Sequence, residues 1–199
     1  MARAAAAHPE VHAYRNWRGR LLEHQHVDVQ VLIEVPTRQG PFGLVHVVRD
    51  ADVRTVAAIS AELHDVKYNP ASTASGHLLS TAAPILGRIP GLFRAMYAVM
   101  SRSRSVHLAT GTVQVTAVGM FADGGGFAIA PPTMASLVVV VGGVSRQPRA
   151  AGDSVEVRDV LDLTVSIDHN VVDGAPATRF AADLRRILHD ADALAPEQP

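Results

Sequence analysis

Alternation of apolar and polar positions predicts the first two strands of the chain. In VDVQVLIEV (27–35), every second residue from Val27 to Val35 is apolar. A period of two residues is typical of a strand that buries one face. The stretch PTRQGPFG then supplies Pro/Gly turn residues, and LVHVV (44–48) predicts the next strand.

Three more segments have the pattern of strands. They are GTVQVTAV (111–118), SLVVVVGGV (136–144) and VLDLTVSI (160–167). In the last of them, apolar residues hold the odd positions from Leu161 to Ile167 and polar residues hold the even ones, so each set shares one face. The run SLVVVVGGV is far shorter than the roughly 20 residues that a membrane-spanning helix needs, and it predicts a buried strand.

Apolar residues at spacings of three and four predict the helices. A helix capped by Asp52 would have one apolar face, made up of Val53, Val56, Ile59, Leu63 and Val66. The closing helix begins near Pro176, and its buried stripe comprises Ala177, Phe180, Ala181, Leu184, Ile187 and Leu188. Strands and helices mixed in this way predict an α/β (α+β) two-layer sandwich. We expect a single domain over residues 1–199, with a frayed tail over 191–199.

Composition limits the class of protein and its partners. The chain has 199 residues, of which 48% are hydrophobic and 19% are charged, and these fractions are typical of a globular protein. A net charge of −1 gives no reason to expect a nucleic-acid partner. The sequence has no cysteine, which excludes disulfides, thiolate metal sites and a cysteine nucleophile. We expect a cytoplasmic protein, because a chain without cysteine fits a reducing compartment.

Residues 66–122 form an unusual segment, because they include five lysines and arginines and no acidic residue. Within this segment, APILGRIPGLFRAMYAVM has apolar residues at helical spacing, interrupted at Pro84 and Pro90. We interpret 66–110 as an apolar, basic insertion. Three structures are compatible with this insertion: a two-piece helix packed on the sheet, the wall of an acyl-chain or cofactor tunnel, or a helix on a membrane surface.

The stretch SIDHNVVDGA (166–175) carries the strongest candidate chemistry. His169 lies between Asp168 and Asp173, after a predicted strand and before a predicted helix. A histidine can deprotonate a thiol or an alcohol near neutral pH, which makes His169 a candidate general base. The alternative is a structural turn, in which Asp173 caps the helix. No metal site is predicted, because the histidine spacings supply no third ligand.

Four blocks of the sequence resemble one family. DHNVVDG (168–174) is similar to the closing motif Asp-His-Arg-x-x-Asp-Gly of the 2-oxo acid dehydrogenase acyltransferases, whose catalytic domain is similar in fold to chloramphenicol acetyltransferase. The stretch 27–63 resembles that family's strand–turn–strand–helix block. GTVQVTAVGMF and APPTMASLVVVVGGVSRQP resemble two further blocks. The four blocks occur in the family's order and cover most of residues 27–190.

The resemblance implies both a fold and a reaction. It implies a chloramphenicol acetyltransferase-like mixed sheet with helices on one face. His169 is then the general base that deprotonates the thiol of coenzyme A or of a lipoyl group. Thr116 is the hydroxyl that stabilises the oxyanion, and Asp173 is a structural aspartate that pairs with an arginine. The resemblance also implies a homotrimer, with the base and the oxyanion donor of each site on different chains.

Departures from the family leave other functions open. Asn170 stands where the family usually has arginine. The first strand and helix of the family domain, which carry the usual arginine partner of Asp173, have no counterpart in this sequence. We therefore expect a stand-alone, shortened relative. The rival hypotheses are a non-catalytic trimeric scaffold and a membrane-surface-associated binding protein.

Overall fold

A five-stranded mixed sheet forms the centre of the fold. The computed structural model describes residues 1–37, 40–69, 95, 98–119, 124–131 and 133–190. Its strands are β1 (Tyr14–Arg15), β2 (Leu21–Leu22), β3 (Val29–Thr37), β4 (Gly40–Val48), β5 (Val113–Ala117), β6 (Leu137–Ala151) and β7 (Ser154–Ile167). The main sheet has the order β4-β3-β5-β6-β7, and β1 pairs with β2 separately. The β3–β5 and β5–β6 pairs are parallel, whereas the two outer pairs are antiparallel.

The helices of the described residues are α1 (Ala2–Ala6), α2 (Val56–Tyr68), α3 (Arg104–Thr110) and α4 (Gly174–Asp190), with a 3-10 turn at Pro9–His12. Of these, α1, α2 and α4 pack against one face of the sheet. Odd-numbered residues of β3, β5, β6 and β7 meet α1, α2 and α4 in one hydrophobic core, which includes Ala4, Val29, Val113, Val139, Phe180 and Leu184. The fold is therefore the predicted two-layer α/β sandwich.

All five strands predicted from the sequence are present, and β6 and β7 are longer than predicted. β6 continues past Val144 to Ala151, and β7 begins at Ser154, so the two form a long antiparallel hairpin. The odd face of β7 is in the core near Ile167, but Val155 and Val157 on the same face are 73% and 58% exposed. The far half of the hairpin thus presents apolar side chains to solvent.

Two details of the predicted helices are wrong. Thr55, not Asp52, caps α2, because its hydroxyl accepts a hydrogen bond from an amide of the first turn. The Asp52 carboxylate instead accepts a hydrogen bond of 2.9 Å from the Val27 amide, so it fastens the start of β3. Val53 consequently lies in the preceding turn and is 66% exposed. In α4, Leu188 is 49% exposed rather than buried, although Phe180 and Leu184 are buried as predicted.

Much of the predicted basic insertion lies outside the described residues. The structure describes 66–69, 95 and 98–119 of the segment, so the two-piece helix around Pro84 and Pro90 is not covered. The predicted frayed tail at 191–199 also lies outside the described residues. Within the ranges that are described, none of the helices has the length and apolar character required to cross a membrane.

A β-bulge in β6 makes room for a crossing segment. Val141 pairs with Leu163 and Val144 pairs with Leu161, so Gly142 and Gly143 together oppose the single residue Asp162. The backbone around Gly126 lies directly on this bulge. The Gly143 amide donates to the Gly126 carbonyl at 2.9 Å, and the Gly126 amide donates to the Asp162 carboxylate at 2.8 Å. The bulge therefore depends on backbone contacts that leave little space for a side chain.

Candidate active site

The turn that carries His169 is fastened by backbone hydrogen bonds at its start. The Asp168 amide donates to the Ser136 carbonyl at 2.9 Å, which ties the end of β7 to the residue before β6. The Asp168 carbonyl then accepts hydrogen bonds from the amides of Val171 and Val172. Val172 is buried in the core, so the chain turns inward between β7 and α4. These contacts fix the backbone on both sides of His169.

Asp168 also holds the residue that follows His169. One oxygen of its carboxylate accepts hydrogen bonds from the Asn170 amide at 2.9 Å and from the Asn170 side chain at 2.8 Å. This is an Asx-type turn, in which an aspartate bonds the backbone two residues later. We did not identify Asp168 as a site residue from the sequence, although Asp-x-Asn is a turn signal that could have indicated it.

His169 and Asp173 are close together, but both are exposed. Their side chains are 81% and 89% exposed, and the Nδ1 atom of His169 lies 3.8 Å from the nearer carboxylate oxygen of Asp173. This distance exceeds that of a hydrogen bond. The Asp173 carbonyl accepts a hydrogen bond of 3.2 Å from Ala177 in the first turn of α4. The predicted structural role of Asp173 remains a prediction, and its carboxylate lies beside the helix N-terminus, where a negative charge is favourable.

Thr116 lies on the face of the sheet opposite the core. It pairs with Val140 of β6, which in turn pairs with Thr164 of β7, so these three side chains form one row across the sheet. Ile167, at the end of β7, lies two strands away from Thr116 and three residues beyond Thr164. These spacings separate the Cα atoms of Ile167 and Thr116 by about 14 Å. His169 lies beyond Ile167. The structure therefore does not bring Thr116 and His169 together within one chain.

Two cavities meet at the His169 turn. The first cavity has a volume of about 530 Å³ and is lined in part by Tyr14, Arg15 and His107. The second cavity, of about 440 Å³, is lined in part by Val138 and Ser166, which lie on the same sheet face as Thr116. Asp168, His169, Asn170 and Thr133 line both cavities. An exposed imidazole between two openings can reach a separate reactant in each.

A stack of aromatic rings supports the wall of the first cavity. This histidine stack consists of Tyr14, His12, His24 and His107, with ring centroids 4.7–6.2 Å apart. The Nδ1 atom of His12 and the Nε2 atom of His24 are buried and have no hydrogen-bond partner among the described residues. Within those same ranges, no group of three or more His, Asp or Glu side chains is arranged to hold a metal ion. The ring contacts themselves show that the four side chains pack against one another.

Burial favours the uncharged forms of His12 and His24. Loss of hydration lowers the pKa of His12, and it lowers the pKa of His24 to about 4, with a further contribution from the neighbouring His12 and His107. In the unfolded chain, His24 titrates near its ordinary value of 6.5. The unfolded chain thus binds more protons between pH 6.5 and 4. The contribution of His24 to stability is therefore fully present above pH 6.5, and it is lost as the pH is lowered from 6.5 to 4.

We expect acid to destabilise the protein through His24, and a phenylalanine at this position to remove part of the effect. Between pH 7 and 5, the free energy of unfolding should fall by about 1 kcal/mol more in the wild type than in His24→Phe, after allowance for the partial exposure of the ring. Urea unfolding at the two pH values measures this difference. His189→Phe, which changes an exposed histidine on α4, is the control. Equal acid sensitivity of wild type and His24→Phe would exclude His24 as a cause.

The fold is similar to that of dihydrolipoamide acetyltransferases. The chain matches the Azotobacter vinelandii dihydrolipoamide acetyltransferase with a TM-score of 0.65 and 23% identity, over 98% of this chain and 67% of that one. It matches a probable dihydrolipoamide acetyltransferase from Listeria monocytogenes with a TM-score of 0.65 and 18% identity, over 95% of this chain and 66% of that one. The chain therefore shares the fold of these two proteins.

Sequence comparison points to the same family of proteins. The family described as 2-oxoacid dehydrogenases acyltransferase (catalytic domain) matches residues 97–195. A stretch of 78 residues is 31% identical to the dihydrolipoyllysine-residue acetyltransferase component of the pyruvate dehydrogenase complex of Zymomonas mobilis. That stretch covers 39% of this chain and 18% of the Zymomonas protein. Residues 97–195 therefore match this family, which confirms over that part of the chain the resemblance of its motifs.

Proposed function

We propose that this protein is an acyltransferase that moves an acyl group between a thioester and a thiol, with His169 as the general base. The observation that carries the proposal is the position of His169, whose exposed imidazole lies where two cavities meet. A thiol in one cavity and a thioester in the other would both be within reach of this side chain. Coenzyme A and a dihydrolipoyl group are the proposed acyl carriers.

The proposed reaction is a transfer between two sulfur atoms. The imidazole of His169 takes the proton from the acceptor thiol, and the resulting thiolate attacks the carbonyl carbon of the thioester. The hydroxyl of Thr116 donates a hydrogen bond to the oxyanion of the tetrahedral intermediate. When the intermediate collapses, the bond to the donor sulfur breaks, and the departing thiolate takes the proton back from His169. The acyl group has then moved, and the base is regenerated.

Residue spacing in a relative supports this assignment. The Azotobacter structure belongs to work on a serine, a histidine and an asparagine in the catalytic mechanism of that enzyme. The serine lies 52 residues before that histidine, and the asparagine lies four residues after it. Thr116 lies 53 residues before His169, and Asp173 lies four residues after it. Threonine retains the hydroxyl of serine, so we propose Thr116 for the oxyanion site.

The separation of Thr116 from His169 requires a second chain in each site. Because Ile167, two residues before His169, already lies about 14 Å from Thr116 in one chain, we infer that the two residues act on one acyl group across an interface. We propose a homotrimer, in which every site takes His169 from one chain and Thr116 from the next. The apolar side chains on the far half of the β6–β7 hairpin, such as Val155 and Val157, are available for burial in such an assembly.

We expect two inactive variants to restore each other's activity when they are co-expressed. Alone, His169→Ala lacks the base, and Thr116→Val lacks the oxyanion donor, which lowers turnover by about 10²–10³-fold. In mixed trimers, about one site in four joins an intact His169 to an intact Thr116. Activity should therefore recover to about a quarter of the wild-type value. Mixed trimers no more active than the separate variants would exclude a site shared between chains.

The assay that tests the function follows the acyl group itself. Wild-type protein is incubated with a panel of acyl-CoA thioesters and dihydrolipoamide, and acyl-dihydrolipoamide is measured by mass spectrometry. We expect at least one thioester to give a product at a rate above that of a heat-denatured control. A trimer by light scattering that transfers no acyl group would favour the non-catalytic scaffold. Flotation with liposomes would instead favour the membrane-surface hypothesis.

A further inference from the structure

We propose that Arg15 is a positioning residue that holds the His169 turn in its active geometry. This inference rests on the proposed function, because it concerns the aim of the catalytic imidazole. The guanidinium Nη2 atom of Arg15 donates a hydrogen bond of 2.8 Å to the backbone carbonyl of Asn170. The two residues are 155 positions apart, so only the fold brings them together. Both also line the first cavity.

Arg15 completes a set of contacts that hold the residue next to His169 from both sides. Asp168 accepts hydrogen bonds from the amide and the side chain of Asn170, and Arg15 donates to its carbonyl. His169 lies between Asp168 and Asn170, and its own side chain has only a loose approach to Asp173, at 3.8 Å. The direction of the imidazole is therefore set mainly by the backbone that these contacts hold.

The backbone of Arg15 is held in place by strand pairing and by the packing of its neighbour. Arg15 follows Tyr14, which is 4% exposed and packs in the histidine stack against His24 and His107. Arg15 itself pairs with Leu21 in the β1–β2 sheet, so its backbone is held by strand pairing. A guanidinium stays charged at any working pH, so its hydrogen bond to the carbonyl persists across the whole range in which a histidine base operates.

This contact differs from the pairing that the resemblance implies for the family. There, an arginine pairs with the aspartate at the position of Asp173, and the segment that carries that arginine has no counterpart in this sequence. In the structure, an arginine instead contacts a backbone carbonyl within the turn, and Asp173 is 89% exposed. Asn170 is also the position where the family usually has arginine. We infer that Arg15 supplies from β1 a restraint on the turn that does not depend on Asp173.

The test compares Arg15→Met with Arg15→Lys and with the control Arg18→Met, which removes an exposed arginine from the β1–β2 loop. For acyl transfer, kcat should fall about tenfold in Arg15→Met, with KM changed less than about threefold, because the base is misaimed. Arg15→Lys should recover part of kcat, and Arg18→Met should match the wild type. An unchanged kcat in Arg15→Met would overturn the proposal. A loss confined to KM would also overturn it, because Arg15 would then bind substrate.

A second measurement separates this inference from the proposed function. The nuclear magnetic resonance signals of the His169 ring and of the Asn170 amide can be recorded without substrate. In Arg15→Met, both should shift or broaden, whereas Arg18→Met should leave both unchanged. If the wild type transfers no acyl group but these signals respond, the proposed function fails and the restraint by Arg15 stands. Signals unchanged in Arg15→Met would exclude the restraint, whatever the activity.

Discussion

Replacement of His169 by alanine is expected to lower the turnover number for acyl transfer by about 10²–10⁴-fold, the range that a general base typically contributes. The melting temperature should stay within about 2 °C of the wild type, because the side chain is 81% exposed and packs on little. KM for the thioester should change much less than kcat, since the imidazole acts on the proton of the thiol. Steady-state kinetics and thermal unfolding of the two proteins measure these quantities.

His189→Ala is the matched control for this substitution. His189 is a histidine of similar exposure, 79%, on α4 away from the turn. Its replacement should change neither turnover nor melting temperature. If His169→Ala retains wild-type turnover, His169 is not the base. If His169→Ala loses turnover and also unfolds at a much lower temperature, the result favours the alternative that His169 is a structural residue of the turn.

Gly142→Ala is expected to destabilise the protein by about 2–4 kcal/mol, although it adds a single methyl group. A Cβ atom at position 142 would lie less than 3.0 Å from the backbone carbonyl oxygens of both Gly126 and Asp162. Backbone atoms cannot move aside as the end of a flexible side chain can. Either the crossing segment around Gly126 leaves the bulge, or the β6–β7 pairing shifts at this point.

Urea unfolding of Gly142→Ala and of the control Gly174→Ala tests this expectation. A Cβ atom at Gly174 would have no neighbour within 4 Å, so that substitution should change the free energy of unfolding by less than about 0.5 kcal/mol. If the two variants lower the free energy of unfolding by similar amounts, the crossing segment can move away from the bulge at little cost. Since that segment leads toward the wall of the second cavity, we also expect Gly142→Ala to lower acyl transfer at temperatures where the protein remains folded.

Local patterns in the sequence predicted the elements of the sheet and of the core. The period of two in β3 and β7 follows from the alternation of side chains along any strand, so it can be recognised without knowledge of the neighbours. The same holds for the first turn of α4 at Pro176 and for its buried residues Phe180 and Leu184. His169 was identified in the same way, because its motif lies within seven consecutive residues. Together with the three other blocks, that motif also indicated the family.

The ends and caps of elements were predicted less well, because they depend on competition for partners. Asp52 is a good capping residue, but the Val27 amide takes its carboxylate, and Thr55 caps α2 instead. The chain continues β6 and β7 beyond Val144 because each strand supplies the other's hydrogen bonds, whatever the polarity of the side chains. Leu188 continues the apolar stripe of α4, yet it is half exposed. None of these outcomes is encoded in a single stretch of sequence.

The sequence by itself determined the strands, the helices and the residue types available for chemistry, since these depend on neighbours within a few positions. Only the tertiary structure decided which of those residues meet. It brought Arg15 to Asn170 across the chain, stacked His24 and His107 on Tyr14, and left Thr116 apart from His169. The physical reason is that hydrogen bonds and ring contacts act over a few ångströms in space. The number of residues between two side chains does not give their distance in space until the order of the strands in the sheet is known.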